Sequence, residues 1–132
     1  MVHIMDIKIR GYHLDLFGHV NDARYFEFLE EARWRAFEKT VDLMELHRKG
    51  YTFTVVNINI NYCRAAVIDE VLTIETEVTQ WGEKSAVIRQ LVKHKNTDIL
   101  VAEATVTFMI IDSQKQEAVL LEGELLELLR TI

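Results

Sequence analysis

The start of the chain alternates between apolar and polar side chains. Met5, Ile7 and Ile9 are each followed by a charged residue, and this period of two predicts a β-strand with one buried face. We expect this first strand to end near Tyr12.

From Asn21 the spacing of apolar residues changes to three and four. Asn21 or Asp22 can cap a helix that we expect to run to about Lys39. Its apolar positions cover more than one narrow stripe: Tyr25, Phe26, Phe28, Leu29, Ala32, Ala36 and Phe37. A helix that is apolar over so much of its circumference is expected to be covered on several sides, as it is when a curved sheet wraps around it. Residues 42–48 predict a second, short helix, which Gly50 would end.

From Tyr51 onward the period returns to two. The alternating runs at about 56–62, 72–79, 85–95 and 99–111 are separated by turn-like segments and predict strands that follow one another as an antiparallel meander. The tail at about 123–129, rich in leucine and glutamate, fits a helix or a strand. Helix and strands segregate along the chain, which indicates an α+β fold with one antiparallel sheet on one main helix.

Composition and charge limit the possible functions. The 132 residues fit a single domain, 1–132, whose core needs no disulfide. A net charge of -6 argues against a nucleic-acid partner. The chain has one cysteine, Cys63, and no apolar segment suited to secretion or to spanning a membrane, so we expect a soluble cytoplasmic protein without a membrane partner.

The most informative stretch is residues 12–33, YHLDLFGHVNDARYFEFLEEAR, which sets Asp15 in a short loop running into the helix. The first turn of a helix has unpaired backbone N–H groups and a partial positive charge. A substrate oxygen that becomes negative there would be stabilised while Asp15 acts on the neighbouring carbon. Taken alone, Asp-x-x-Gly is an ordinary loop composition.

Two segments carry a family resemblance. Residues 12–33, with Asp15 ahead of GHVN and a final Glu30-x-Ala32-Arg33, resemble the 4-hydroxybenzoyl-CoA thioesterase-like branch of the hotdog-fold thioesterases. Residues 69–89, DEVLTIETEVTQWGEKSAVIR, resemble the second and third sheet strands of the same family. The resemblance implies a hotdog fold, in which a curved antiparallel sheet wraps one long helix, and hydrolysis of acyl-CoA without a metal or cofactor. It also implies a homo-oligomer, a dimer or a tetramer, with active sites between subunits.

The resemblance assigns roles by position. Asp15 matches the catalytic carboxylate, which acts as a nucleophile on the thioester carbonyl or as a general base for water. The backbone N–H of Asp22 matches the oxyanion donor, although its side chain would oppose the oxyanion unless it caps the helix or faces solvent. The supporting loop residues are Gly18, His19 and Asn21, and the expected substrate contacts are Tyr25, Arg64, Lys84 and Ser85.

Lys84 matches a basic residue that contacts the coenzyme A phosphates in the family. Gly82 and Glu83 stand where family members can carry arginines, so the turn has lost positive charge. Arg64, at a chain corner, is the candidate to compensate.

Several alternatives remain open. An acyl-thioester hydratase or dehydratase would need a histidine and a carboxylate across the groove, and a non-catalytic acyl-CoA-binding module would tolerate the loss of Asp15. If Asp15 points away, Glu30 is the replacement carboxylate; otherwise we expect Glu30 to pair with Arg33 on the helix surface. We expect Cys63 to be a small buried thiol. The spacing of the histidines predicts no metal site.

Overall fold

The secondary-structure elements come from a computed structural model that describes residues 1–132. In chain order they are β1 (His3–Lys8), a 3-10 helix (Gly11–His13), α1 (Asp22–Glu38), α2 (Leu43–Arg48), β2 (Tyr51–Tyr62), β3 (Val71–Trp81), β4 (Ser85–His94), β5 (Leu100–Asp112), β6 (Glu117–Ala118) and α3 (Gly123–Leu129). No helix combines the length and the apolar character needed to cross a membrane.

All strand pairs are antiparallel, and the main order across the sheet is β1-β3-β4-β5-β2, with β6 paired to the end of β5. The expected meander is correct for β3, β4 and β5. It is wrong for β2, which pairs with β5 from Tyr51 opposite Asp112 to Tyr62 opposite Ala102. An alternating pattern predicts which face of a strand is buried, but it does not predict which strand pairs with it. As a result β2 forms one edge of the sheet and β1 the other.

Helix α1 lies on the inner face of this sheet. Its buried residues Tyr25, Phe28, Leu29 and Ala32 share a core cluster with β1, β3, β4 and β5, whereas Phe37 belongs to a second cluster that includes α2 and α3. This is the α+β hotdog arrangement that the sequence predicts. The helix is not covered on every side, because Phe26 and Trp34 are exposed.

A buried polar group lies on the helix-facing side of the sheet. The Gln90 side chain, which is fully buried, donates from Nε2 to the Leu29 carbonyl and to Thr76 Oγ1, both at 3.0 Å. Its Oε1 accepts from Arg33 Nη1 at 3.0 Å. The expected Glu30–Arg33 pair is therefore wrong: tertiary packing draws Arg33 inward, and Glu30 accepts from an indole N–H on the next turn instead.

The segment after β1 also differs from expectation. The strand ends at Lys8, not near Tyr12, because Ile9 turns to pair with a later loop: its N–H donates to the Glu70 carbonyl and its carbonyl accepts from the Asp69 N–H. The chain tail, which the pattern left undecided, forms α3 and buries Leu129 in the second cluster.

Candidate active site

A pocket of about 320 Å³ opens at the N-terminal end of α1. Three parts of the chain line it: the loop before the helix with Asp15, His19 and Val20, the helix start with Asp22 and Tyr25, and residues 62–65 at the end of β2. The fold brings these parts together through one backbone bond in particular, in which the Val20 N–H donates to the Ala66 carbonyl at 2.9 Å.

The loop before α1 holds the Asp15 carboxylate in a fixed position. Asp15 Oδ1 accepts from the backbone N–H of Phe17 at 2.9 Å and of His19 at 3.2 Å, while Oδ2 makes no hydrogen bond within the chain. The Asp15 N–H donates to the His19 carbonyl at 2.8 Å and closes the loop. Gly18 lies at the tip of the loop with φ +77, a backbone conformation that residues other than glycine adopt only at a cost in free energy. One carboxylate oxygen is thus anchored and the other is available to a substrate.

The first residue of α1 has a free backbone donor at the pocket. Asn21 is the N-cap, and its Oδ1 accepts from the Ala23 N–H at 2.9 Å. The Arg24 N–H donates to the Asn21 carbonyl at 2.9 Å, so both of these amides are satisfied. The Asp22 N–H, which precedes both in the chain, makes no hydrogen bond. The Asp22 side chain is exposed and does not cap the helix, which corresponds to the solvent-facing case considered from the sequence.

Two tyrosines form the wall between the helix and the sheet. The Tyr25 side chain is buried, and its ring stands edge-on to Tyr62 with centroids 5.4 Å apart. Burial, with smaller contributions from Glu70, Tyr62 and Asp22, raises the pKa of Tyr25 to about 12. Tyr25 is therefore a neutral phenol at the edge of the pocket under ordinary conditions.

The corner after β2 carries a cation and a thiol. Arg64 is exposed, lines the pocket and makes no salt bridge within the chain. Cys63 is exposed too, so the expectation of a buried thiol is wrong. The strand has already ended at Tyr62, and the backbone N–H groups of Cys63 and Arg64 both donate to the Val101 carbonyl, which turns the chain toward the pocket.

Comparison with known proteins agrees with this geometry. The sequence profile of the thioesterase-like superfamily matches residues 9–129. The chain belongs to the thioesterase-like superfamily. It is 47% identical over 121 residues to the long-chain acyl-CoA thioesterase FadM of Escherichia coli (strain K12), covering 92% of each chain. It is 32% identical over 108 residues to the acyl-CoA thioesterase YbgC of Haemophilus influenzae, covering 80% of this chain and 77% of the relative.

A solved structure resembles this thioesterase-like chain closely. The crystal structure of YbaW, a probable thioesterase from Escherichia coli, superposes with a TM-score of 0.90 at 46% identity and covers 96% of both chains. The resemblance inferred from residues 12–33 and 69–89 is therefore confirmed at the level of family and fold.

Not all the predicted site residues of this thioesterase-like chain lie together. Lys84 is exposed in the β3–β4 turn and Ser85 begins β4, whereas the pocket lies at the end where β3 begins. A strand the length of β3 spans about 30 Å, so neither residue contacts the pocket of its own chain. Glu30 is also outside the pocket, and its carboxylate accepts from Trp34 Nε1 at 3.2 Å.

Sequence reasoning missed residues that only the β2 end supplies. Tyr62 and Cys63 line the pocket, as does Ala65, although only Arg64 of this segment was predicted. The available signal was the end of the alternating pattern at Tyr62, which places the following residues at a sheet corner near loops.

Proposed function

We propose that this chain is an acyl-CoA thioesterase that hydrolyses a thioester to a free acid and coenzyme A. The observation that carries the proposal is the combination, in one pocket, of the Asp15 carboxylate with one oxygen free and the unpaired Asp22 N–H. The likeness to FadM and YbgC, both named acyl-CoA thioesterases, supports the same reaction.

In the proposed reaction the thioester carbonyl oxygen lies against the Asp22 N–H. Either Asp15 attacks the carbonyl carbon, the C–S bond breaks to release the thiolate of coenzyme A, and water hydrolyses the resulting anhydride, or Asp15 takes a proton from the water that attacks directly. Both routes place negative charge on the carbonyl oxygen, where a single preorganised donor contributes about 10² to 10³ in rate. The exposed Asp22 carboxylate is hydrated, which weakens its repulsion of that charge.

We assign the residues that contact the substrate from the charge of the pocket, and the substrate class from the related proteins. Arg64 is the one arginine or lysine that lines the pocket, and it makes no salt bridge, so we assign it to a coenzyme A phosphate. Tyr25 and Ala65 offer a mainly apolar wall to the acyl chain. FadM is named a long-chain acyl-CoA thioesterase, and at 47% identity we propose long-chain substrates for this chain also.

We propose that the working unit is a homo-oligomer built on a dimer. The edge strand β2 is 12 residues long and exposes Val55 and Val56, a surface that natural proteins usually cover. Pairing two β2 edges about a twofold axis makes the strands antiparallel, which brings the Lys84 and Ser85 end of the second copy to the pocket end of the first. This pairing would add the Lys84 phosphate contact, which a single chain cannot make to its own pocket. Light scattering on wild type and Val56→Lys tests it; a wild-type monomer with full activity would refute it.

Two further assignments belong to the same proposal. The two core clusters lie on the inner face of one continuous sheet, which supports treating residues 1–132 as a single domain. We place the enzyme in the cytoplasm, where its exposed free thiol, Cys63, stays reduced and acyl-CoA is available.

The test is release of free coenzyme A from short, medium, long and aromatic acyl-CoAs. We expect turnover to be highest on long chains, and Asp15→Asn to lower kcat by at least about 10²-fold. Asp98→Asn is the matched control, since Asp98 is an exposed loop aspartate outside the pocket, and it should leave kcat unchanged. Equal turnover by wild type and Asp15→Asn would remove Asp15 from the mechanism. Binding without turnover of any thioester would instead favour a non-catalytic module.

A further inference from the structure

Tyr62 makes a contact between β2 and α1 that neither element needs for its own formation. Its hydroxyl donates to the Asp22 carbonyl at 3.2 Å, and its ring stands edge-on to Tyr25 at an interplanar angle of 70°. Tyr25 is only 3% exposed and packs against Phe28 in the main core cluster. The Tyr62 ring therefore rests on a rigid surface, and its hydroxyl reaches the first residue of the helix.

The position of this contact in the fold makes it distinctive. Helix α1 packs mainly against β1 and β3, whereas β2 lies at the opposite edge and is held in the sheet by β5 alone. The helix start and the β2 end nevertheless form facing walls of one pocket. The hydrogen bond from Tyr62 joins those two walls directly, and it ends on the residue whose N–H is the free donor.

We propose that Tyr62 is a positioning residue for thioester hydrolysis: its hydroxyl fixes the first turn of α1 against the end of β2 and thereby aims the Asp22 N–H. This inference rests on the proposed function and adds to it a residue that the family resemblance did not assign. Tyr62 does not need to touch the reacting atoms, because it acts through the peptide groups of the helix start.

The chemistry of the phenol suits this role. Burial, followed by the negative charge of Asp22, raises the pKa of Tyr62, so the hydroxyl stays protonated and remains a donor across the working range of pH. An oxyanion donor contributes to rate only if it is already in place when charge develops. Loosening the turn should therefore lower kcat, and it should change KM little because the ground-state carbonyl gains less from the donor.

The experiment compares Tyr62→Phe with Tyr12→Phe. Tyr62→Phe keeps the ring and removes only the hydroxyl, and Tyr62 is 45% exposed, so the fold is not at risk. Tyr12 lies outside both β2 and the pocket, is 72% exposed and makes no side-chain hydrogen bond, so Tyr12→Phe is the matched control. The readouts are kcat and KM for release of coenzyme A, and amide hydrogen exchange over residues 23–26, whose N–H groups belong to the first turns of α1.

We expect Tyr62→Phe to lower kcat about three- to tenfold, to leave KM within about twofold, and to speed exchange over residues 23–26 by a similar factor, as the loss of one net hydrogen bond predicts. Tyr12→Phe should match wild type in all three. Unchanged kcat, a rise in KM alone, or a fall in kcat without faster exchange would each overturn the positioning role while leaving the proposed function intact. Absence of wild-type turnover on every thioester would overturn the proposed function and this inference with it.

Discussion

The N-cap of α1 offers a way to separate helix stability from catalysis. Asn21 Oδ1 accepts from the Ala23 N–H at 2.9 Å, and the neighbouring Asp22 N–H makes no hydrogen bond. Asn21→Ala removes the acceptor. Asn21→Asp keeps an acceptor of equal capping strength but places a negative charge beside the donor that the oxyanion would use.

The two substitutions should affect different quantities, Asn21→Ala the stability of the fold and Asn21→Asp the rate of the reaction. Loss of an N-cap costs about 1 kcal/mol, so Asn21→Ala should lower the free energy of unfolding by that amount. Asn21→Asp should leave it unchanged or raise it slightly, because a negative charge at a helix start is favourable. Position 21 is exposed to water, where two unit charges about 4 Å apart interact by about 1 kcal/mol, so the same charge should raise the activation free energy by about that amount. That increase corresponds to a roughly fivefold lower kcat.

The assays are urea denaturation and steady-state release of coenzyme A. The matched control is Asp42→Ala, because Asp42 caps α2 by accepting from the Glu45 N–H at 3.0 Å and lies outside the pocket. It should cost a similar free energy of unfolding without lowering kcat. Wild-type kcat in Asn21→Asp, or an equal fall of kcat in Asp42→Ala, would refute the argument that the helix start serves the reaction.

Two predictions concern the buried polar groups. Gln90→Leu should lower the free energy of unfolding by about 2–4 kcal/mol in urea denaturation, because it leaves the Arg33 guanidinium without its buried acceptor. The exposed control Gln80→Leu should change it by less than about 0.5 kcal/mol, and equal effects of the two substitutions would contradict the role of the Gln90 hydrogen bonds. Burial, aided by the nearby Lys39 charge, lowers the pKa of His3, so the unfolded chain binds a proton before the folded chain does as the pH falls. The free energy of unfolding should therefore drop below about pH 6.5, and His3→Leu should reduce that drop between about pH 7 and 5. A pH profile of His3→Leu that runs parallel to wild type would contradict the role of His3.

The sequence determined the local elements because their signals are short in range. The spacing of apolar residues located α1, and Asn21 was one of the two caps considered for it. The alternation in residues 72–79 and 85–95 located β3 and β4, and with them the α+β class. Each of these elements is recognised from side chains only a few residues apart in the sequence, so the pattern alone was sufficient to locate it.

Only part of the candidate site could be predicted from the sequence pattern. Asp15 and Asp22 could be singled out because they lie a few residues apart in a segment with a family resemblance. Tyr62 could not, since its contact with Asp22 joins residues 40 positions apart and depends on where β2 enters the sheet. Lys84 matched a family position, but the fold places it at the far end of the strands from Asp15.

The tertiary structure alone decided which strands are neighbours and which loops meet. Every strand offers the same row of backbone donors and acceptors, so hydrogen bonding does not select a partner; the packing of the sheet around α1 does. That packing places β2 beside β5, turns Cys63 outward and brings the β2 end to the helix start. The sequence by itself therefore determined a carboxylate next to a helix N-terminus, and the fold determined the wall that faces them.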